Sequence, residues 1–225
     1  MRGGSDDILA GFATGEIFTH TYATNAWLDG ESVSGPGSNQ RYTETLRREF
    51  PTLIGQLGVT RILDAPCGDF YWFPLMKELD GLDYVGGDIV APLIDRNQEH
   101  HGREGRSFRV LDILTDAMPD ADLWLCRDCL FHLSNRDVRT ALERFARGRI
   151  PQLLTSTHPE CTVNRDIPTG SFRELNLRLP PYSLPAPREA IEDWIPGFPR
   201  RLLALWSRVE VARGLGMVTD GRSVS

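Results

Sequence analysis

The run Arg61-Ile62-Leu63-Asp64-Ala65-Pro66-Cys67-Gly68-Asp69-Phe70 constrains this chain more than any other. Arg61 to Leu63 reads as a buried strand leading straight into a turn with two acids, a proline and a glycine. A second apolar run, Tyr84 to Ile89, carries Asp88, 20 residues beyond Gly68. Strand, tight glycine turn, helix and an acid at the next strand tip make a nucleoside pocket. Gly68 allows close backbone approach, and a carboxylate at the second tip can accept both ribose hydroxyls.

The charges decide which nucleoside. A pyrophosphate site needs several glycines and a bare helix N-terminus. Here Gly68 stands alone, and Asp64 and Asp69 bring negative charge to the same turn. Those acids repel phosphate and suit a ligand with an ammonium and a sulfonium, S-adenosylmethionine. A buried turn with an incidental acid is the bland alternative.

At 225 residues the chain is long enough for one α/β domain with a full core. The reading divides it into an N-terminal helical cap (1–55), a cofactor-binding core (56–157) and an acceptor-side elaboration (158–225). Net charge is −6 and no basic stripe stands out, which argues against a nucleic-acid partner. Without a long apolar run or a basic-apolar leader, a cytoplasmic chain with no membrane partner is expected. Cys126 and Cys129 form C-x-x-C, but no second pair sits at zinc spacing, so packed, reduced thiols are the plainer reading.

In chain order, residues 1–5 read as a disordered start and 6–26 as a pair of short helices. Trp27 to Ser38, punctuated by Gly and Pro, reads as a loop whose amides and serines can grip a carboxylate. Residues 39–56 follow as a helix, and Tyr71 to Leu79 as another, with Pro74 near its first turn. Further strands are expected over Ser107–Asp112, Asp122–Cys126 and Ile150–Thr157, with helices over Ala91–His101 and, capped by Asn135, Arg136–Arg147. Strand and helix alternating at this spacing predict an α/β, doubly wound, Rossmann-like sheet. Its C-terminal strand tips would then bring Asp64, Asp88, Asp112 and Asp128 together. The Pro-rich C-terminal part is irregular: a loop over Pro159–Gly170, a sixth strand over Phe172–Leu179, an extended Pro180–Pro187, a short helix over Arg188–Trp194 and a seventh strand over Leu202–Trp206. Residues from Gly214 onward are expected to fray.

With these residues assembled, the chain resembles the class I S-adenosylmethionine-dependent methyltransferases over about residues 55–157. Asp64-Ala65-Pro66-Cys67-Gly68-Asp69 is similar to their first motif, with Pro66 where a glycine is usual. Asp88 matches the ribose-binding acid, Asp112-Ile113 the adenine-flanking pair, and Arg127-Asp128-Cys129-Leu130-Phe131-His132-Leu133 the segment after the fourth strand. Together with Ser34-Gly35-Pro36-Gly37-Ser38 and Asn164-x-Asp166-x-x-x-Gly170, these marks resemble a small bacterial group that includes mycobacterial sugar O-methyltransferases of methylmannose polysaccharide synthesis. The resemblance implies a donor site of Ser38, Asp64, Ala65, Pro66, Cys67, Gly68, Asp69, Phe70, Trp72, Asp88, Ile89, Leu111, Asp112, Ile113 and Arg127. It also implies a small hydroxylated acceptor, in first place a carbohydrate; the sequence leaves open whether the chain forms a homodimer.

A hydroxyl acceptor needs a base or a metal. His132 and His158 are the base candidates, each with a pocket-lining or structural reading beside it. Asp128 with Asp166 or Asn164 offers hard oxygen ligands suited to magnesium, although Asp128 can equally pair with Arg127 or hold an acceptor hydroxyl. Trp27, Tyr71, Trp72 and Tyr182 offer ring faces for adenine or a sugar. An N- or C-methyltransferase on another metabolite and a non-catalytic binding module stay open as alternatives; a nicotinamide dehydrogenase is disfavoured by the missing glycines.

Overall fold

The computed structural model describes residues 13–217, and they build a seven-stranded sheet. β1 (Arg61–Asp64), β2 (Asp83–Asp88), β3 (Arg106–Val110), β4 (Leu123–Cys126) and β5 (Gln152–Thr157) run parallel. β6 (Glu189–Glu192) and β7 (Leu202–Ser207) complete it: β7 pairs antiparallel with β5, and β6 antiparallel with β7. In the order β3-β2-β1-β4-β5-β7-β6 the winding reverses between β1 and β4, which opens a crevice at their C-terminal ends. The helices are α1 (Thr14–Ala23), α2 (Glu44–Leu57), α3 (Ala91–His101), α4 (Asn135–Arg147) and α5 (Arg208–Gly214).

Strand alternation sorts the core into two layers. Ile62, Leu125, Leu154 and Leu203 pack with Leu46, Phe50 and Ile54 of α2. Their neighbours Leu63, Trp124, Leu153 and Ala204 pack on the other face with Val138, Leu142 and Phe145 of α4 and Val211 of α5. The apolar positions of α4 recur at helical spacing, so its stripe faces the sheet while its arginines stay outward. No helix among the described residues is long and apolar enough to cross a membrane.

Several local expectations change. Tyr71–Leu79 holds two 3-10 turns, Phe73–Leu75 and Lys77–Leu79, rather than an α-helix; Pro74 removes an amide donor at the point where the helix would propagate. Ser134, not Asn135, caps α4 by accepting from the Asp137 amide. Phe172–Leu179 is not a strand: β4 and β7 occupy both sides of β5, so the segment is held by scattered backbone and side-chain bonds instead of a ladder. The Leu175 amide donates to His158 Nδ1 (3.2 Å) and the Leu177 amide to Thr157 Oγ1 (3.1 Å). The expected helix at Arg188–Trp194 is β6, where Ile191 turns inward between more exposed neighbours. The expected fraying after Gly214 fails at Leu215, which is buried beneath α5; residues 1–12 and 218–225 lie outside the described part.

Candidate functional site

At the crevice lies a cavity of about 120 Å³. All four strand-tip acids line it: Asp64, Asp88, Asp112 and Asp128. Pro66, Cys67 and Gly68 of the turn border it, as do Ile89, Leu111 and Ile113. Ser38, Trp72, Arg127 and His132 complete the expected set found there. Pro66 enters the turn through a cis peptide. Gly68 has φ +54°, and a Cβ on it would sit 2.3 Å from Ser34 Oγ, so the position requires glycine. Its amide donates to Asp88 Oδ2 (3.1 Å), and its carbonyl accepts from Asn97 Nδ2 (2.7 Å).

Two buried carboxyls in this cavity lack an ion-pair partner among the described residues. Asp64 is buried, and burial pushes its pKa up to about 7 although the Tyr84 hydroxyl donates to it at 2.6 Å. Burial likewise raises Asp88 to about 6, against the lowering effect of the Val90 and Gly68 amides. Among the described residues neither acid has an ion-pair partner within 4.0 Å.

Asp128 differs. Burial raises its pKa, but Arg127 and Arg201 outweigh that and hold it below the usual carboxylate range. Arg201 Nη1 lies 2.5 Å from its Oδ1 and Arg127 Nη1 3.5 Å from its Oδ2. The same two arginines grip Asp193 at the end of β6. Arg127 does so through Nε (3.0 Å) and Nη2 (2.9 Å), and Arg201 Nη2 lies 3.0 Å from Asp193 Oδ2. Arg127 Nη2 also donates to the Gly37 carbonyl (2.6 Å), tying the 34–38 loop to β4. A Cβ on Gly37 would approach Asp128 Oδ2 to 2.2 Å, so only glycine lets the loop lie so close.

His132 sits in the 3-10 turn after β4. Its Nδ1 is 2.9 Å from the Ser171 carbonyl, which can only accept, so Nδ1 carries the proton and Nε2 of the neutral ring is left as an acceptor. Burial lowers its pKa, partly offset by the Ser171 contact and Asp128. His158 lies apart from the cavity, buried, with Nδ1 accepting from Leu175. Burial and the Arg201 charge lower its pKa to about 4, so it stays neutral. The reading of His158 as a base is therefore corrected: its Nδ1 lone pair is taken by the backbone.

Other expectations move too. Ala65 is buried beneath the cavity, its carbonyl accepting from Trp124 Nε1 (2.8 Å). Asp69 turns away and fastens the loop, accepting from Ser32 Oγ (2.8 Å) and the Val33 amide (3.0 Å). Phe70 is core, packed on Phe73, Tyr84 and Phe108. Tyr182 is fully buried with its hydroxyl on Asn135, and Tyr71 reaches outward to Gln40.

The magnesium reading does not survive. Asp166 accepts from the Asn135 amide (2.7 Å), and Asn164 is spent on Asn176 and Pro180 of the C-terminal loops. Asp128 is engaged by two guanidiniums, and no group of three His, Cys, Asp or Glu among the described residues is arranged for a metal. The residues present do not fit the cation.

One whole wall of the cavity lies outside the expected residues. Thr14, Phe18 and Tyr22 of α1 line the cavity, and their spacing of four was visible in the sequence. Asp193 and Arg201, which no motif marks, lie outside the expected set too.

No protein-family model and no curated protein matches this chain. Solved structures do. The chain is similar to Burkholderia thailandensis 1,6-didemethyltoxoflavin-N1-methyltransferase at 17% identity and TM-score 0.60, covering 92% of both chains. It is similar to human N-acetylserotonin methyltransferase at 16% identity and TM-score 0.56, covering 86% of this chain and 60% of the human one. A third is magnesium protoporphyrin IX methyltransferase from Synechocystis PCC 6803, at 12% identity and TM-score 0.56, covering 87% and 98%. The seven-stranded mixed sheet with flanking helices is the Rossmann-like fold of class I methyltransferases.

Proposed function

We propose that this chain is an S-adenosylmethionine-dependent O-methyltransferase acting on a hydroxyl of a small acceptor, in first place a sugar or short oligosaccharide of the methylmannose polysaccharide type. One observation carries the reading: two buried carboxyls without a cation and a histidine with an open Nε2 share one cavity. Acids so placed favour a cationic nucleoside, and the Gly68 cradle that a Cβ would fill fits close ligand approach. S-adenosylmethionine would supply an electrophilic methyl group.

Asp88 would accept the ribose hydroxyls, and Asp64 would face the positive charge. Leu111, Asp112 and Ile113 would flank the base, while Ser34, Ser38 and the 34–38 loop would hold the carboxylate. Arg127 shapes that end through Gly37, because its own charge is already matched by Asp193 and Asp128. His132 would take the acceptor's proton at Nε2, with Trp27 (ring centroids 6.1 Å away) offering a face for the acceptor ring. The named relatives methylate varied compounds, so the acceptor rests on the motif resemblance alone.

The test is S-adenosylhomocysteine release across a panel of sugars, phenols and amines. Release with hydroxyl acceptors, sugars foremost, is expected. Release with amines alone would sink the O-methyl reading.

A further inference from the structure

Arg173 is buried, at 7% exposure, yet no carboxylate among the described residues pairs with it. An uncompensated buried cation is costly, so what it holds matters. Its Nη1 donates to the carbonyls of Leu133 (2.8 Å) and Phe131 (3.3 Å), the residues on either side of His132. Its Nη2 donates to Asn135 Oδ1 (3.0 Å), and its own amide to the Phe131 carbonyl (3.2 Å). The amide of Gly170 donates to the His132 carbonyl (2.7 Å). Three successive carbonyls of the His132 turn are thus bound by the 170–173 segment, and in return that segment sets the Ser171 carbonyl on His132 Nδ1.

We infer that Arg173 is a positioning residue that holds His132 in the Nδ1–H tautomer. A free neutral imidazole favours the proton on Nε2, the form in which Nε2 cannot act as a base. The Ser171 carbonyl reverses that preference only while the segment stays seated, and the guanidinium seats it by collecting carbonyls that would otherwise be left unpaired. Phe172 travels on the same segment, its ring 5.9 Å from His132 and 5.5 Å from Phe131. The inference deepens the proposed reaction and rests on that reading for its meaning; the tautomer itself can be read without any acceptor.

The experiment is nitrogen-15 NMR of the His132 ring in the full chain, with S-adenosylhomocysteine affinity by calorimetry as the control. Wild type should show Nδ1–H with unprotonated Nε2. Arg173→Met should shift the ring toward the Nε2–H form while leaving affinity within about twofold, because Arg173 is not among the cavity-lining residues. Arg173→Lys, able to reach fewer carbonyls, should fall between the two. If Arg173→Met does not fold, the Lys variant decides. A folded variant with an unchanged Nδ1–H signal overturns the inference, even where the methyl-transfer reading stands. Should the hydroxyl panel release nothing, a tautomer shift in Arg173→Met would still uphold the positioning role.

Discussion

The two ends of the cavity are built differently. On the side proposed for the donor, strand tips close in sequence do the work: the Gly68 amide meets Asp88 20 residues on, and Asp64 sits at the end of β1 itself. On the proposed acceptor side, which shares the 34–38 loop with the end proposed for the donor's carboxylate, parts far apart are tied by side chains. Arg127 reaches Asp193 across 66 residues and Gly37 across 90, and His132 meets Ser171 across 39. The donor side follows from topology, whereas the acceptor side depends on individual side-chain ties that a single substitution can undo.

That contrast can be broken or sharpened by experiment. The largest effect is expected at Asp193. Its removal leaves Arg127 and Arg201 buried with one carboxylate between them, so Asp193→Ala should destabilise the fold by about 3–5 kcal/mol in urea denaturation. A loss below about 1 kcal/mol would mean that the network is not the keystone of the acceptor side. Next comes Asp88→Ala, which removes two charge-assisted hydrogen bonds of about 1.5–3 kcal/mol each from the proposed ribose contact. Calorimetry should then detect no S-adenosylmethionine binding; wild-type affinity would undo the assignment. His132→Ala should lower turnover at least about a hundred-fold with donor affinity intact, and an unchanged rate would remove it as the base.

The smallest effect is one of pH. Asp64 has its pKa raised to about 7, so the folded chain keeps a proton toward neutral pH that the unfolded chain releases near its ordinary value. This term favours the fold at acid pH and is lost as pH rises through about 7. A cationic ligand prefers the charged carboxyl, so binding should expel that proton, and affinity should weaken about tenfold from pH 8 to pH 6. Calorimetry in buffers of different ionisation enthalpy measures the release; pH-independent affinity would remove Asp64 from contact with the ligand's charge.

The donor side was largely legible in the sequence, because period-two strands and a glycine turn are local signals. Asp64, Gly68, Asp88 and Asp112 fall where that grammar puts them. The segment after β5 was not. Leu175 and Leu177 alternate as a strand would, but whether a neighbouring edge is free is a property of the whole sheet. Glu189 to Glu192 is short and acidic, and only the open side of β7 makes it a strand. Asp193 and Arg201 carry no motif, since their pairing exists only once β6 and β7 lie side by side. Asn164 and Asp166 show the converse: a conspicuous pattern of polar residues that serves to staple loops.

One contact has a consequence for assembly. The Gly37 carbonyl is held by an arginine that is itself steadied from the far edge of the sheet, where β6 and β7 lie side by side. Until β6 and β7 have docked, the loop is therefore anchored through Asp69 alone, and a polypeptide stopped before β6 would carry Asp64 and Asp88 without the Arg127 tie that draws Gly37 over them.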